Sequence, residues 1–322
     1  MSLDNKMRKK QAKRLESVLA ETVFSALKPP PKLTVSEWAD QYRYLSSESS
    51  AEAGKWSTSR AEYQRGMMDA VSDPSIETVV LMTAAQVGKT ELINNVVGFH
   101  IAQNSCPMLV VQPTLEMAQT WAKDRLSPCI RDTPALRVMI SDPKSRDTGN
   151  TTLHKTFRGG HITACGANSP SSLASRPCRL ILCDEVDRYP ASAGSEGDPV
   201  ALARRRSATF WNRKIILVST PTTQGASRIE AAYEESDQRR FFVKCPDCKE
   251  HQTLKWAQVQ WEKEKPATAY YSCEHCGSCW TDAARYRAVR YGEWRATAPG
   301  DGRTAGFHLN ALYSPWATLE DG

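Results

Sequence analysis

The chain has 322 residues, 40% of them hydrophobic and 24% charged, enough apolar material for one large domain and a smaller one. Its first thirty residues are charged and lack an unbroken apolar core, and no run of about 18 apolar residues occurs anywhere. The reading therefore has no signal peptide and no membrane span, and the formal net charge of +6 suits a polyanionic partner while lying far from a histone-like excess.

In chain order, Lys6–Leu27 has the spacing of an amphipathic helix, with Leu15, Val18, Leu19, Val23, Ala26 and Leu27 on one side. Lys9, Lys10, Lys13 and Arg14 then form either a solvated face or a contact to DNA or a partner. Pro29, Pro30 and Pro31 end this helix, and a second is predicted over 34–44, capped by Thr34 or Ser36 and anchored by Trp38. From Thr78 onward, apolar runs rich in β-branched residues alternate with helix-length stretches. TVVLMT (78–83), MLVVQ (108–112), HITACG (161–166), RLILCD (179–184) and KIILVS (214–219) read as strands buried on both faces, with helices over 90–103 and 114–126 between them. The fold class is α/β, a mainly parallel central sheet with crossover helices on both faces.

The first of these strands runs into TAAQVGKTE (83–91). Gly88, Lys89 and Thr90 fit a phosphate-binding loop, but Thr83 stands where the first glycine belongs. A loop between a strand and a helix can surround phosphate oxygens with backbone N–H groups, Lys89 reaching the β/γ-phosphates of ATP and Thr90 ligating Mg²⁺. Asp184 leaves the strand RLILCD where it can hold Mg²⁺ through water, and Glu185 follows as the group to orient or deprotonate the attacking water. The next strand ends in Ser219, Thr220 and Pro221, whose hydroxyls can sense the γ-phosphate.

The ten cysteines fall into two groups. Cys106, Cys129, Cys165, Cys178 and Cys183 are scattered among apolar residues and read as buried small hydrophobes in a reducing compartment. Cys245, Cys248, Cys273 and Cys276 form two C-x2-C knuckles, the pattern of a tetrahedral zinc site, with Cys279 and His275 as nearby spares. The zinc segment runs over 241–294, and its Trp256, Trp261, Tyr270, Tyr271, Arg285, Arg287 and Arg290 serve a small core, DNA or a partner.

SEWADQYRYL (36–45), AEYQRGMMDA (61–70), GANSPSSLASRP (166–177), DEVDRYP (184–190), STPTTQGASRIEAAYEESDQRRF (219–241) and the paired knuckles together closely resemble the lambda-type terminase large subunit of tailed bacteriophages. The resemblance covers nearly the whole chain. It implies an additional-strand P-loop ATPase that pumps double-stranded DNA into a capsid from the host cell cytoplasm. Its implied partners are a small terminase subunit, the portal protein and further copies of itself, with a nuclease domain beyond the zinc ribbon. It also implies that Gly88, Lys89 and Thr90 belong to the Walker A loop, Asp184 and Glu185 to Walker B, Ser219 and Thr220 to the coupling motif, and Tyr63 and Gln64 to an adenine-binding element, with an exposed helical Gln64 as the other reading. Two departures stand out. Gln86 occupies the loop where many packaging motors carry Arg, and Leu173-Ala174 replaces an expected Leu-Arg, which makes Arg176 the substitute charge-neutralising arginine, with Arg204, Arg205 and Arg206 as competitors.

The expected partition is a helical arm over 1–50, the ATPase domain over 51–240, the zinc ribbon over 241–295 and, over 296–322, the start of a linker toward a nuclease domain missing from this chain. PTLEMAQ, DEVD and STP also resemble superfamily 2 helicase motifs, but about 80 residues after Arg240 leave no room for a second motor domain. A zinc-ribbon DNA-binding adaptor with an inactive nucleotide fold is the rival from another class.

Overall fold

The computed structural model describes residues 14, 16, 32–140, 149–223 and 225–320. Met1–Leu33 forms a unit of its own, and the helix expected over Lys6–Leu27 falls almost wholly outside the described residues. The second unit, Thr34–Gly322, holds everything that follows.

Helix α1 (Val35–Tyr42) begins with a reciprocal cap: the Thr34 hydroxyl accepts from the Glu37 N–H, and the Glu37 carboxylate accepts from the Thr34 N–H at 2.8 Å. Trp38 is buried on this helix and its indole fills the space over Gly98, where a Cβ would come within 2.5 Å of the ring. That close approach docks α1 on α3 (Lys89–Ala102), with α2 (Tyr63–Ser72) packed beside both. Helix α1 thus belongs to the main body, not to an arm ending at residue 50.

Among the described residues the central sheet has ten strands. In chain order they are β1 (Thr78–Thr83), β2 (Met108–Gln112), β3 (His154–Phe157), β4 (Gly160–Gly166), β5 (Leu180–Asp184), β6 (Lys214–Ser219), β7 (Arg239–Lys244), β8 (His251–Gln252), β9 (Glu293–Arg295) and β10 (Thr304–Leu309). Across the sheet the order is β8-β7-β10-β1-β6-β5-β2-β4-β3, with β9 paired to β7. The run from β7 through β10, β1, β6, β5 and β2 to β4 is parallel, and β3, β8 and β9 are antiparallel additions at the margins. Strand β6 lies between the loop strand β1 and the acidic strand β5, the extra strand that the fold class requires.

The β-branched runs are buried along their whole length because both faces are covered. Val80, Met82, Leu109, Val111, Ile181, Cys183, Ile215 and Leu217 alternate onto one face and meet Leu173, Leu202, Ile229 and Tyr233 from helical segments. Their neighbours Val79, Leu81, Met108, Val110, Leu180, Leu182, Ile216 and Val218 are equally buried on the other.

The last third differs from the expected partition. The border at 240/241 falls inside β7, and 296–322, read as the start of a linker, supplies β10 in the middle of the sheet, pairing Thr304 to Thr78 through Leu309 to Thr83. TAGFHL was illegible as a strand because it lacks a β-branched run. Its Gly306 is demanded by packing: a Cβ there would overlap the Ser236 hydroxyl. The cysteine segment is therefore an excursion between sheet strands. It leaves through β7, builds a three-stranded sheet (Val259–Glu262, Lys265–Ser272, Cys279–Trp280) and helix α4 (Asp282–Arg290), and returns through β9.

Candidate nucleotide and metal sites

Three strand ends meet at Lys89. Thr83 is still within β1, paired with Leu309, so the position that usually carries the first glycine needs no glycine here. The turn is made later, by Gln86 at φ 60° and Gly88 at φ 81°. Gly88 is favoured by its left-handed φ, and a Cβ there would also force the Gln64 side-chain amide away from the Val87 carbonyl. Helix α3 starts at Lys89, and its first-turn N–H groups, lacking partners one turn back, face the loop with the positive end of the helix.

Lys89 Nζ donates to Thr220 Oγ1, just beyond β6, and lies 3.3 Å from Glu185 Oε1, just beyond β5. Glu185 is left-handed at φ 53°, ψ 49°, a conformation costing a non-glycine residue of order 1–3 kcal/mol. The bend carries its carboxylate back toward Lys89, with Arg188 Nε 3.7 Å away on the other side. Ser219 is fully buried; its Oγ accepts from the Asp187 N–H and donates to the Thr220 carbonyl. Thr90, in the first turn of α3, is partly buried.

Asp184 is 9% exposed and accepts a 3.0 Å hydrogen bond from Gln112 Nε2 at the end of β2. Burial pushes its pKa from 3.8 up to about 6. Because the folded value lies above the unfolded one, the folded state binds the extra proton between them. Stability therefore falls as pH rises through that window and is still missing at pH 7. Asp184→Asn is accordingly expected to stabilise the metal-free protein at pH 7 by on the order of 2 kcal/mol while leaving stability near pH 4 unchanged. Thermal denaturation at both pH values checks this, and a lower melting temperature at pH 7 would contradict it.

Tyr63 and Gln64 are 0% and 1% exposed, which removes the reading of an exposed helical glutamine. Both donate to the Val87 carbonyl, at 3.2 and 2.9 Å, and so brace the loop from beneath. Gln64 Oε1 is buried with no hydrogen-bond partner among the described residues. Arg176 is not brought to Lys89. It is exposed, with Nη1 3.3 Å from Nε2 of His154 on β3, an edge strand five places along the sheet from β1. Of the competitors, Arg206 donates to the Ala174 carbonyl at 3.0 Å.

The second site is formed by Cys245, Cys248, Cys273 and Cys276, whose sulfur atoms all lie within 4.8 Å of one another. Two of the separations, Cys245–Cys276 and Cys248–Cys273, are 3.9 Å, close to the ~3.8 Å edge of a tetrahedron with ~2.3 Å metal–sulfur bonds. The N–H groups of Asp247 and His275 and the side-chain amide of Gln252 point at the sulfurs of Cys245 and Cys273, as donors that stabilise thiolates. Cys279 and His275 are outside this cluster.

A family model described as the ATPase domain of the phage terminase large subunit gpA matches residues 50–294. The chain belongs to this terminase family. It is 31% identical over 333 residues to the terminase large subunit of Enterobacteria phage P21 and 29% identical over 337 residues to that of Escherichia phage lambda. Each alignment covers 96% of this chain and 51% of the relative, so the chain spans about half the length of these curated relatives. The large terminase of bacteriophage HK97 shares the fold at a TM-score of 0.50 and 14% identity, over 62% of this chain and 40% of that one.

Within the terminase framework, sequence reasoning missed the groups that position the motif residues. Asp187, visible in DEVD, accepts from the N–H groups of Thr222 and Ile229 and so ties the acidic strand end to the Ser219–Thr220 turn. Gln112 was signalled only by a polar residue closing an apolar strand. Arg43, 2% exposed, pairs at 2.8 Å with Glu91, two residues after Lys89. Ser314, which donates to the Gln86 carbonyl at 2.8 Å, left no signal.

Proposed function

We propose that the chain is the ATP-hydrolysing part of a viral DNA-packaging motor that drives double-stranded DNA into a capsid. The observation that carries the reading is the convergence of Lys89, Asp184, Glu185 and Thr220 from three neighbouring strand ends. In this reading the loop N–H groups and Lys89 hold the phosphates of ATP, and the unpartnered Gln64 Oε1 accepts from the base. Thr90 and Asp184 are the residues to hold Mg²⁺, which neutralises charge on the phosphate oxygens; the half-buried first-turn hydroxyl and a carboxylate made costly by burial fit that cation. Glu185, already bent toward the lysine, takes the proton of the attacking water. Ser219 and Thr220 register the γ-phosphate through the Lys89 contact. Arg176, remote from its own chain's lysine, acts as the charge-neutralising arginine toward a neighbouring copy in a homo-oligomer.

The four cysteines bind one Zn²⁺ in a structural role. The small terminase subunit and the portal protein are the further partners, and the host cell cytoplasm is the setting. Among the described residues no helix is long and apolar enough to cross a membrane. The adaptor alternative offers no use for a lysine paired with Glu185 and bonded to Thr220 beside a second, buried carboxylate.

ATP hydrolysis by the purified chain, with and without duplex DNA and a portal protein, tests the reading. Mg²⁺-dependent turnover that DNA raises is expected, and its absence under all these conditions would refute the motor. Elemental analysis after purification under reducing conditions should give about one zinc per chain; none would remove the metal from the account.

A further inference from the structure

Helix α4, which follows the cysteine segment, has two faces with different occupations. Arg285, Ala288 and Val289 are buried, whereas Arg287 and Arg290 are exposed on the opposite side with no hydrogen bond or ion pair to any described residue. Both line a groove of about 380 Å³ between α4 and the segment 57–63. Arg60 enters the groove from the other wall, held at 2.8 Å by Glu52, with the Ser57 and Ser59 hydroxyls beside it. Glu62 is the one carboxylate in the lining, and both its oxygens are taken by Arg65. The groove offers the two unpaired guanidinium groups of Arg287 and Arg290, a third at Arg60 already forked onto Glu52, and no unpaired acid, between walls that include Tyr286, Tyr313 and Pro315; the free guanidinium groups are donors suited to phosphate oxygens.

We propose that this groove seats the phosphate backbone of duplex DNA, with Arg287 and Arg290 gripping it independently of sequence. The proposal rests on the motor reading above and names where the DNA touches this chain. The buried face of the same helix gives the seat a connection to the nucleotide loop. Arg285, 1% exposed, donates to the carbonyls of Leu312, Ser314 and Ala317 and is held by Asp282 at 2.6 Å. Ser314 in turn donates to the Gln86 carbonyl. A shift of α4 on DNA binding reaches the phosphate-binding loop through two hydrogen-bonded steps.

The test is fluorescence anisotropy of a labelled mixed-sequence duplex against the intact chain across a salt series, for wild type, Arg287→Ala/Arg290→Ala and the double lysine variant. Because two DNA phosphates are no longer neutralised, the alanine pair is expected to bind at least about tenfold more weakly at low salt, and its log–log salt slope should shrink by about 1.8. Its DNA-free ATP turnover stays at the wild-type level, DNA stimulation is lost, and the lysine pair keeps most of the slope. Wild-type affinity and slope in the alanine pair would overturn the seat while leaving the motor reading in place. No duplex binding by wild type at any salt would overturn both. Retained DNA binding with lost affinity for a poly-glutamate chain would reassign the groove to an acidic protein and overturn the proposal.

Discussion

Glu185→Gln should leave ATP binding intact and cut turnover by at least about 10²-fold, the loss typical of a positioned base. The substitution keeps the side chain's size and its left-handed backbone position, and removes only the charge that faces Lys89 at 3.3 Å. Lys89→Ala is the more drastic variant. No other cation is placed in the loop 84–88, and Arg188 lies on the far side of Glu185, so turnover should vanish together with nucleotide affinity. Steady-state hydrolysis and calorimetric ATP titration separate the two outcomes. Lost ATP binding in Glu185→Gln would make Glu185 a structural residue, and wild-type turnover in Lys89→Ala would remove the site assignment.

The second large effect concerns the metal. Structural zinc contributes on the order of 10–16 kcal/mol to small modules of this kind, far more than the cysteine segment can gain from its few buried aromatics. Cys245→Ser/Cys273→Ser, or chelation of the wild type, is therefore expected to unfold the segment while most of the α/β body persists. The damage should not end there. Strand β7 belongs to both the metal knuckle and the sheet, and Trp294, on the returning strand β9, packs over Gly66 and donates to the Tyr63 carbonyl beneath the loop. Apparent ATP affinity should fall at least about tenfold on metal removal, with circular dichroism showing that most helix is retained. Unchanged ATP affinity in zinc-free protein would show that the segment is an independent appendage.

The parts of the fold legible in the sequence are those where one physical requirement dominates. Strands β1, β2, β5 and β6 were readable to the residue or nearly so, because burial on both faces forces an uninterrupted β-branched run. The Lys89, Asp184 and Glu185 set was readable because each member leaves such a run at a fixed place. Tyr63 and Gln64 lie beneath the loop and their donors serve the Val87 carbonyl, a long-range packing role that no local pattern encodes. Arg176 follows Leu173-Ala174 closely along the chain, but spacing says nothing about which sheet edge a long connection reaches. Strand β10 was missed because a central strand flanked by Phe241, Tyr313 and Trp294 can draw its burial from its neighbours' side chains and needs few large residues of its own.

The position of β10 sets the order in which the molecule can be completed. A chain made from its amino terminus offers β1, β6 and β5 early, but β1 keeps one open edge until Thr304–Leu309 arrives to close it against β7. That edge is six buried residues long and carries no charge, the kind of surface that pairs with other chains when left uncovered. The segment that closes it follows the cysteine knuckles in the chain, so Cys245–Cys276 is made before the last strand. A fragment cut at residue 294, where the family match stops, would contain every nucleotide-binding motif and still expose that edge to aggregation.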